Sequence, residues 1–314
     1  MNFIPAEKTS FLQEVVLGLS NRPKRLTPKW FYDKRGAKLF EQICDLPEYY
    51  LTRSESSILE TAAVEISEYL GPEVILIEYG SGAMSKVRTL LDSLDKPQAL
   101  IAIDVADEQL LQASDTLGVE YSDLTVHPIV GDFTSSFDLP LWASAGKRLC
   151  AFFPGSTIGN FEPDDAEVLL RSMHNVVGHG GAAIIGVDLK KDKSVLEAAY
   201  NDASGISEKF NKNLLDRINR ELKGNAQLDQ FKHIAPYNED KGRIEMHLVS
   251  LCEQMLTVSN YHFPLKPNET IHTENSYKYT VEEFQALAKS ASFAPTAVWV
   301  DENQLFSVHL LTRA

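Results

Sequence analysis

The feature that most constrains the fold is a series of short apolar segments, which alternate with amphipathic segments from residue 74 onwards. The five apolar segments are 74–82, 99–106, 124–133, 147–157 and 181–189. Strands that are apolar along their whole length are typical of a parallel sheet whose two faces are both covered by helices. The sequence therefore predicts an α/β fold, with Pro128 suggesting an irregular middle in the third strand.

This pattern is interrupted and then resumes near the end of the chain. Residues 191–278 combine helical segments with segments of alternating polarity, which are typical of strands with one solvated face. A helical segment then follows, and two alternating runs about an acidic turn predict a terminal β-hairpin. We predict one domain from 53–190 and 279–314, and a smaller α+β domain from 1–52 and 191–278. A chain of 314 residues is consistent with two domains.

Composition excludes several classes of protein. The net charge of −14 disfavours binding to a nucleic-acid backbone. The start, "MNFIPAEKTSFLQEVVLGLS", has no basic segment followed by an apolar run, so we expect no signal peptide, and no apolar run reaches membrane-spanning length. The three cysteines are far apart and the histidines lack ligand spacing, so no metal site or disulfide is expected. We expect a cytoplasmic monomer that acts on a small molecule and has no nucleic-acid or membrane partner.

A glycine turn marks the candidate ligand site. In "EYGSGAMSK" (78–86), Gly80 and Gly82 follow a strand and precede a helix, where the lack of a side chain lets the backbone approach a ligand. A dinucleotide fingerprint would require a third glycine at Ser85. Asp104 ends the next strand, where a ribose hydroxyl would be held. Enzymes that use NAD and enzymes that use S-adenosylmethionine share this feature, so an NAD-dependent oxidoreductase remains an alternative.

Three further features favour S-adenosylmethionine. Glu78, two residues before Gly80, resembles the acidic strand end of class I methyltransferases. The tripeptide "GDF" (131–133) ends the third strand, where such enzymes hold the adenine with a carboxylate and an apolar contact. The terminal helix and hairpin also resemble those of the class I Rossmann-like fold.

Longer motifs are more specific than the glycine turn. The chain resembles the L-histidine Nα-methyltransferases of ergothioneine biosynthesis over nearly its whole length. The motifs that carry the resemblance are "PKWFYDKRGAKLFEQICDLPEYYLTRSE" (28–55), "EYGSGAMSK" (78–86), "GSTIGNF" (155–161), "AYNDASGISEKFNKNLLDRINREL" (199–222), "RIEMHL" (243–248) and "HTENSYKY" (272–279). This resemblance implies three methyl transfers from S-adenosylmethionine to the α-amino group of histidine, which give hercynine. It also implies a methyltransferase domain and a substrate-binding domain built from the N-terminal and inserted segments.

The resemblance further implies a set of site residues. Those expected to bind S-adenosylmethionine are Gly80, Lys86, Asp104, Asp132 and Phe133. Those expected to hold the amine and carboxylate of the amino acid are Tyr49, Asn160 and Tyr200. Tyr32 is expected near the reacting amine, so Tyr32 and Tyr49 are the candidate catalytic residues, and Met246 is expected to line the side-chain pocket. Ala83 and Met84 depart from the smaller polar residues common in the family, which could alter packing near the methionine tail.

Substrate specificity depends on the segment "HTENSYKYT" (272–280). Glu274 and Ser276 lie two residues apart, so in a strand their side chains share one face. By resemblance they recognise the two nitrogens of the imidazole. An indole carries a single N–H, so a related N-methyltransferase of tryptophan or a derivative should lack this pair. The tryptophan alternative is therefore less favoured. A catalytically silent binding protein is also less favoured, because every position that the resemblance assigns to the site retains a competent residue.

Overall fold

The computed structural model describes residues 6–82, 84–135, 137–143 and 148–313. The α-helices within this part are α1 (Ala6–Ser20), α2 (Lys34–Cys44), α3 (Tyr50–Leu70), α4 (Ser85–Leu91), α5 (Asp107–Glu120), α6 (Pro163–Val177), α7 (Lys193–Tyr200), α8 (Ile206–Leu222) and α9 (Val281–Ser290). No helix of the described ranges is long and apolar enough to span a membrane.

The strands of the same ranges are β1 (Lys24–Arg25), β2 (Ile75–Tyr79), β3 (Ala99–Asp104), β4 (Thr125–Val130), β5 (Leu149–Phe153), β6 (Ala182–Asp188), β7 (Phe231–Ile234), β8 (Tyr237–Asn238), β9 (Arg243–Ser250), β10 (Gln254–Val258), β11 (Tyr261–Leu265), β12 (Thr270–Tyr277), β13 (Ala294–Val300) and β14 (Phe306–Thr312). The chain divides into two compact units, which are Met1–Tyr49 with Asp192–Ser276 and Tyr50–Lys191 with Tyr277–Ala314. The predicted domain boundaries lie within three residues of these limits.

The larger unit contains a seven-stranded sheet in the order β13-β14-β6-β5-β2-β3-β4. Strands β2 to β6 are parallel to one another, and β14 is antiparallel to both of its neighbours, β6 and β13. This arrangement confirms the predicted α/β sheet with its terminal hairpin. Every residue of β2, β5 and β6 is buried, as expected for central strands covered on both faces. The class I methyltransferase order of strands is therefore present.

The third strand of the sheet is more regular than its proline suggested. Pro128 lies in β4 and pairs in register with Ala102 of β3, and the residues on either side of it are also paired. Strand β4 is at the end of the strand order, so one of its sides needs no hydrogen bond to a neighbouring strand. A proline, which has no N–H to donate, is tolerated at such an edge.

The strand order places a topological switch point between β2 and β5, because the sheet grows outward from these two strands in opposite directions. Ligands of open parallel sheets bind beyond the carboxyl ends of strands at this point. The glycine turn follows β2, and the turn Gly155–Asn160 follows β5. Both turns therefore lie where a ligand of this sheet is expected.

The smaller unit is α+β, as predicted. Its main sheet contains β1, β12, β9 and β7 in that order, with β8 also paired to β9, and β10 and β11 form a separate hairpin. Helix α8 contacts β7 and β9 of this sheet and also packs against α2. The short β1 pairs in parallel with β12 through Lys24 and Ile271, which brings the N-terminal segment against the inserted segment.

One carboxylate of the larger unit binds side chains near all three points at which the chain passes from one unit to the other. Asp188 at the end of β6 is fully buried. It accepts hydrogen bonds from the Tyr50 hydroxyl at 2.8 Å and from Lys191 at 2.6 Å, and it forms an ion pair with Lys278 at 2.5 Å. Tyr50 and Lys191 are the residues at which this unit begins and is interrupted, and Lys278 follows its resumption at Tyr277. The unit boundaries are thus tied to a single strand end.

Candidate functional site

The glycine turn of the larger unit is closed by backbone hydrogen bonds and by Asp104. Gly80 and Gly82 have φ angles of 73° and 49°, a region that glycine adopts at little cost. The Asp104 carboxylate accepts from the N–H of Gly82 and from the N–H of Ala106, both at 2.9 Å. An ionised carboxylate offers about four acceptor positions, so Asp104 can also accept from a ligand hydroxyl.

Phe133 lies beside this turn. A Cβ atom on Gly80 would be 3.5 Å from the Phe133 ring, which makes ring contacts with Phe153 and Phe161. The neighbouring Asp132 carboxylate accepts from the backbone N–H of Thr134 at 3.0 Å. The structure therefore brings together the predicted residues Gly80, Asp104 and Phe133, with Asp132 adjacent along the chain.

Glu78 is an unusual group at the end of β2. Its side chain is 1% exposed, and its Oε2 atom has no hydrogen-bond partner among the described residues. Burial raises the pKa of Glu78 to about 8, although a hydrogen bond with Ser81 and the charge of Lys86 act in the opposite direction. A buried polar atom without a partner is costly, so this oxygen is suited to accept from a ligand donor.

Lys86 is paired with a carboxylate that sequence reasoning did not single out. Its ammonium lies 2.5 Å from Glu55 of α3, which is 1% exposed. Both oxygens of Glu55 also accept from the N–H of Gly155 at 2.9 Å. A side chain on Gly186 would collide with the carboxylate, since a Cβ there would lie 2.0 Å from Glu55 Oε1. Glu55 lies at the end of the motif 28–55, which was the only signal for it.

The turn after β5 positions Asn160. Gly155 and Ser156 both have positive φ angles, 79° and 57°, which is uncommon for serine. The Ser156 hydroxyl accepts from the backbone N–H of Asp188 at 2.9 Å, and this bond supports the conformation. Asn160 ends the 3₁₀ turn Thr157–Asn160 and is half-buried, whereas Gly159 beside it packs closely against Tyr277.

The smaller unit contains a chain of aromatic rings that includes three predicted residues. Tyr32 lies 5.6 Å from Phe40, Phe40 lies 6.2 Å from Tyr49, and Tyr49 lies 6.2 Å from Tyr200, as measured between ring centroids. Phe210 also contacts Tyr32 and Phe40. Sequence reasoning missed Phe40 and Phe210, both of which lie inside motifs that carry the resemblance.

The hydroxyl of Tyr49 is held in its neutral form. Burial raises the pKa of Tyr49 well above its ordinary value, and the nearby Tyr200, Cys44, Tyr32 and Glu274 contribute in the same direction. A neutral phenol donates and accepts hydrogen bonds. It is therefore suited to orient a polar ligand group.

Glu274 and Ser276 both point into the protein. They are 8% and 3% exposed and share one face of β12, as their spacing predicted. The Ser276 hydroxyl lies 2.8 Å from the hydroxyl of Tyr200, at the end of α7. Met246 is 3% exposed on β9, the strand next to β12 in the sheet. The unit thus gathers a carboxylate, two hydroxyls and a thioether on neighbouring elements.

The predicted residues are therefore divided between the two units. Gly80, Lys86, Asp104, Asp132, Phe133 and Asn160 belong to the larger unit, and Tyr32, Tyr49, Tyr200, Met246, Glu274 and Ser276 belong to the smaller one. Met84 is buried with a left-handed φ of 53°, whereas Ala83, the other departure from the family pattern, lies outside the described residues.

Comparison with known proteins gives consistent matches. The family described as "Histidine-specific methyltransferase, SAM-dependent" matches residues 11–313. A histidine N-alpha-methyltransferase of Mycolicibacterium smegmatis is 36% identical over 99% of this chain and 98% of its own. Ergothioneine biosynthesis protein 1 of Neurospora crassa is 30% identical, over 93% of this chain and 33% of its own. Among solved structures, a 1,6-didemethyltoxoflavin N1-methyltransferase of Burkholderia thailandensis aligns over 89% of this chain and 88% of its own, with 10% identity and a TM-score of 0.46.

Proposed function

Since the chain belongs to the family of histidine-specific, S-adenosylmethionine-dependent methyltransferases, we propose that it transfers three methyl groups to the α-amino group of L-histidine. The product is hercynine, and we propose ergothioneine biosynthesis as its use. The observation that carries the choice of substrate is the buried pair of Glu274 and Ser276 on one face of β12. Histidine presents a ring with two nitrogens, which such a pair can match.

The larger unit has the groups that S-adenosylmethionine requires. The glycine turn leaves room for close backbone contact, the Asp104 carboxylate can accept from ribose hydroxyls, and Phe133 offers an apolar face to the adenine. The Oε2 atom of Glu78, which has no partner among the residues that the structure describes, is available to a ligand N–H or O–H. Lys86 and Asp132 complete the proposed cofactor site. The bound sulfonium would supply an electrophilic methyl group.

The smaller unit has the groups that the amino acid requires. We assign Tyr49 and Tyr200, together with Asn160 of the larger unit, to the amine and carboxylate, and Tyr32 to the vicinity of the reacting nitrogen. The amine must be neutral when it reacts, so one proton is released for each methyl group added. Because the pKa of Tyr49 is raised well above its ordinary value, this residue orients the amine and water is the better proton acceptor.

The aromatic chain suits the charge of the intermediates. Each methylated ammonium has fewer N–H donors than the one before, and the fully methylated product has none. The faces of Tyr32 and Tyr49 can stabilise such a cation without hydrogen bonds, at about 0.5–2 kcal/mol per favourable contact. Phe40, which lies between the two tyrosines, extends this surface. We therefore propose that the same residues bind histidine and its partly methylated forms.

Specificity follows from the polar pair on β12. Glu274 would accept a hydrogen bond from one imidazole nitrogen, and Ser276 would serve the other nitrogen. A site built to bond a substrate N–H rejects analogues that lack it, since the buried polar groups would then be left without partners. Met246 would pack against the ring. A tryptophan derivative would not satisfy both members of the pair.

The first test is mass spectrometry of the purified protein with S-adenosylmethionine and the twenty amino acids pooled. We expect trimethylated histidine as the product. Methylation of another amino acid in its place would overturn the choice of substrate. No methylated product at all, from a protein that binds S-adenosylmethionine, would favour a binding protein that lacks activity.

The second test is Glu274→Ala. We expect it to lower kcat/KM for histidine about 100-fold or more, since it leaves a substrate N–H without a buried acceptor. The affinity for S-adenosylmethionine, measured by calorimetry, should stay unchanged. Equal losses for both substrates would indicate a folding defect and contradict the assigned role. Glu253, which belongs to the same unit and lies in the turn between β9 and β10, provides a matched control as Glu253→Ala.

We also propose that the protein acts as a cytoplasmic monomer without a metal or a nucleic-acid partner. The smaller unit would be the substrate-binding domain and the larger unit the methyltransferase domain. Light scattering of the purified protein tests the monomer, and retention of activity in the presence of a strong chelator tests the independence from metal.

A further inference from the structure

A chain of buried hydrogen bonds lies behind the proposed histidine-binding residues, entirely within the smaller unit. The Thr273 hydroxyl donates to Asn211 Oδ1 at 2.8 Å. Asn211 Nδ2 lies 2.8 Å from His233 Nδ1, and His233 Nε2 lies 2.8 Å from the carbonyl oxygen of Tyr200. Thr273 and Asn211 are 1% and 0% exposed, and His233 and Tyr200 are both 8% exposed.

The partners fix the direction of each bond. A backbone carbonyl can only accept, so His233 must carry its proton on Nε2 and donate to Tyr200. Nδ1 is then the acceptor for the Asn211 amide, whose second N–H reaches the carbonyl of His247 at 3.3 Å. Burial lowers the pKa of His233, which also favours the neutral ring. The amide oxygen and both amide hydrogens of Asn211 are therefore used.

The chain connects elements that carry different binding residues. Tyr200 is the last residue of α7, where helix carbonyls lack partners within the helix, and His233 of β7 supplies a donor. Thr273 is adjacent to Glu274 on β12 and lies three residues before Ser276. Its hydroxyl also lies 3.1 Å from the carbonyl oxygen of Met246 on the neighbouring strand β9.

We propose that His233, oriented by Asn211, is a positioning residue for histidine recognition: it holds Tyr200 in place so that the Tyr200 hydroxyl stays in register with Ser276. The inference deepens the proposed function and rests on it. His233 acts through the carbonyl of Tyr200 and does not touch the substrate. Because Tyr200 and Ser276 are 76 positions apart in sequence, their 2.8 Å contact depends on such tertiary bonds.

The test compares two substitutions at this position. His233→Gln keeps an N–H close to the place of Nε2, whereas His233→Leu removes the donor and retains an apolar volume. We expect His233→Leu to raise the KM for L-histidine about tenfold with kcat changed less than about twofold, which is the pattern of lost ground-state binding. His233→Gln should recover most of that loss. The affinity for S-adenosylmethionine should be the same in both variants.

A matched control distinguishes positioning from general stability. His309 is fully buried in the larger unit and bonds the Ser307 hydroxyl at 3.0 Å, so His309→Leu makes the same chemical change elsewhere. We expect it to lower the melting temperature without raising the KM for histidine. If His233→Leu and His309→Leu behave alike in KM, or if His233→Gln is as impaired as His233→Leu, the proposal is wrong.

A spectroscopic measurement needs no variant and no activity. Nitrogen chemical shifts of ¹⁵N-labelled wild-type protein distinguish a protonated Nε2 with a bare Nδ1 from the other tautomer and from the charged ring. We expect the Nε2–H tautomer for His233, and either other form would overturn the proposed chain. If the wild-type protein did not methylate histidine, the proposed function would fail, while this measurement would still report on the chain of hydrogen bonds.

Discussion

The ion pair between Glu55 and Lys86 allows a quantitative prediction for the proposed cofactor site. The two side chains are 1% and 18% exposed and approach to 2.5 Å. Glu55→Gln keeps the volume of the side chain and one oxygen for the N–H of Gly155, which donates to both oxygens in the native protein. The substitution removes the negative charge, so the Lys86 ammonium loses its counter-ion in a largely buried position.

The expected cost follows from the burial of the two groups. Removal of one partner from a buried ion pair typically destabilises a protein by about 3–5 kcal/mol. Because Lys86 retains some contact with solvent, we expect about 2–3 kcal/mol for Glu55→Gln, which is about a 30- to 150-fold change in the unfolding equilibrium. Lys86→Met leaves the more deeply buried Glu55 carboxylate without a counter-ion, so we expect this variant to lose the full amount of about 3–5 kcal/mol in the free energy of unfolding.

The assay is a double-mutant cycle in guanidinium chloride, with unfolding followed by circular dichroism. The double variant Glu55→Gln/Lys86→Met carries neither charge, so we expect it to lose less stability than the sum of the two single variants. Costs that add to within about 0.5 kcal/mol would refute the coupling. Lys289→Met changes an exposed lysine of the same unit and should alter the free energy of unfolding by less than about 1 kcal/mol.

Two further predictions concern the same unit. Burial raises the pKa of Glu78 from its ordinary 4.5 to about 8, so the folded protein retains a proton that the unfolded chain releases, and stability is lost as the pH rises through this range. Glu78→Gln should therefore stabilise the protein more at pH 8 than at pH 5 in denaturant titrations, and an equal effect at both pH values would contradict the assignment. Gly159→Ala would place a Cβ 2.6 Å from the carbonyl oxygen of Tyr277, and we expect a loss of about 1–3 kcal/mol in the free energy of unfolding. Gly118→Ala in α5 is the control, because a Cβ there would have no atom within 4 Å, and we expect it to stabilise the protein by about 0.4–1 kcal/mol. Equal shifts of the melting temperature in the two variants would show that the close contact at Gly159 is unimportant.

The sequence was sufficient where the signal is local. Apolar runs identified the parallel strands and alternating runs identified the terminal hairpin, because a strand buried on both faces is apolar along most of its length. The glycine turn after β2 was also recognisable from a local signal, since a positive φ strongly favours glycine. The long motifs then identified the family, although no single residue in them does so alone.

Contacts between distant segments could not be predicted in this way. Glu55 and Lys86 are 31 positions apart in the sequence, and Tyr200 and Ser276, whose hydroxyls meet, are 76 positions apart. Phe40 looks like any apolar residue of an amphipathic helix until its ring is found between those of Tyr32 and Tyr49. Such contacts depend on how separate elements pack, which neither composition nor periodicity specifies.

The strand β12 illustrates both sides of this division. The sequence by itself determined that Glu274 and Ser276 share a face, because side chains alternate along any strand. It did not determine whether that face is buried, since a pattern of period two is the same for a strand turned either way. The tertiary structure buries both faces of β12: Ser276 meets Tyr200 of α7 on one face, and Thr273 meets Asn211 of α8 on the other.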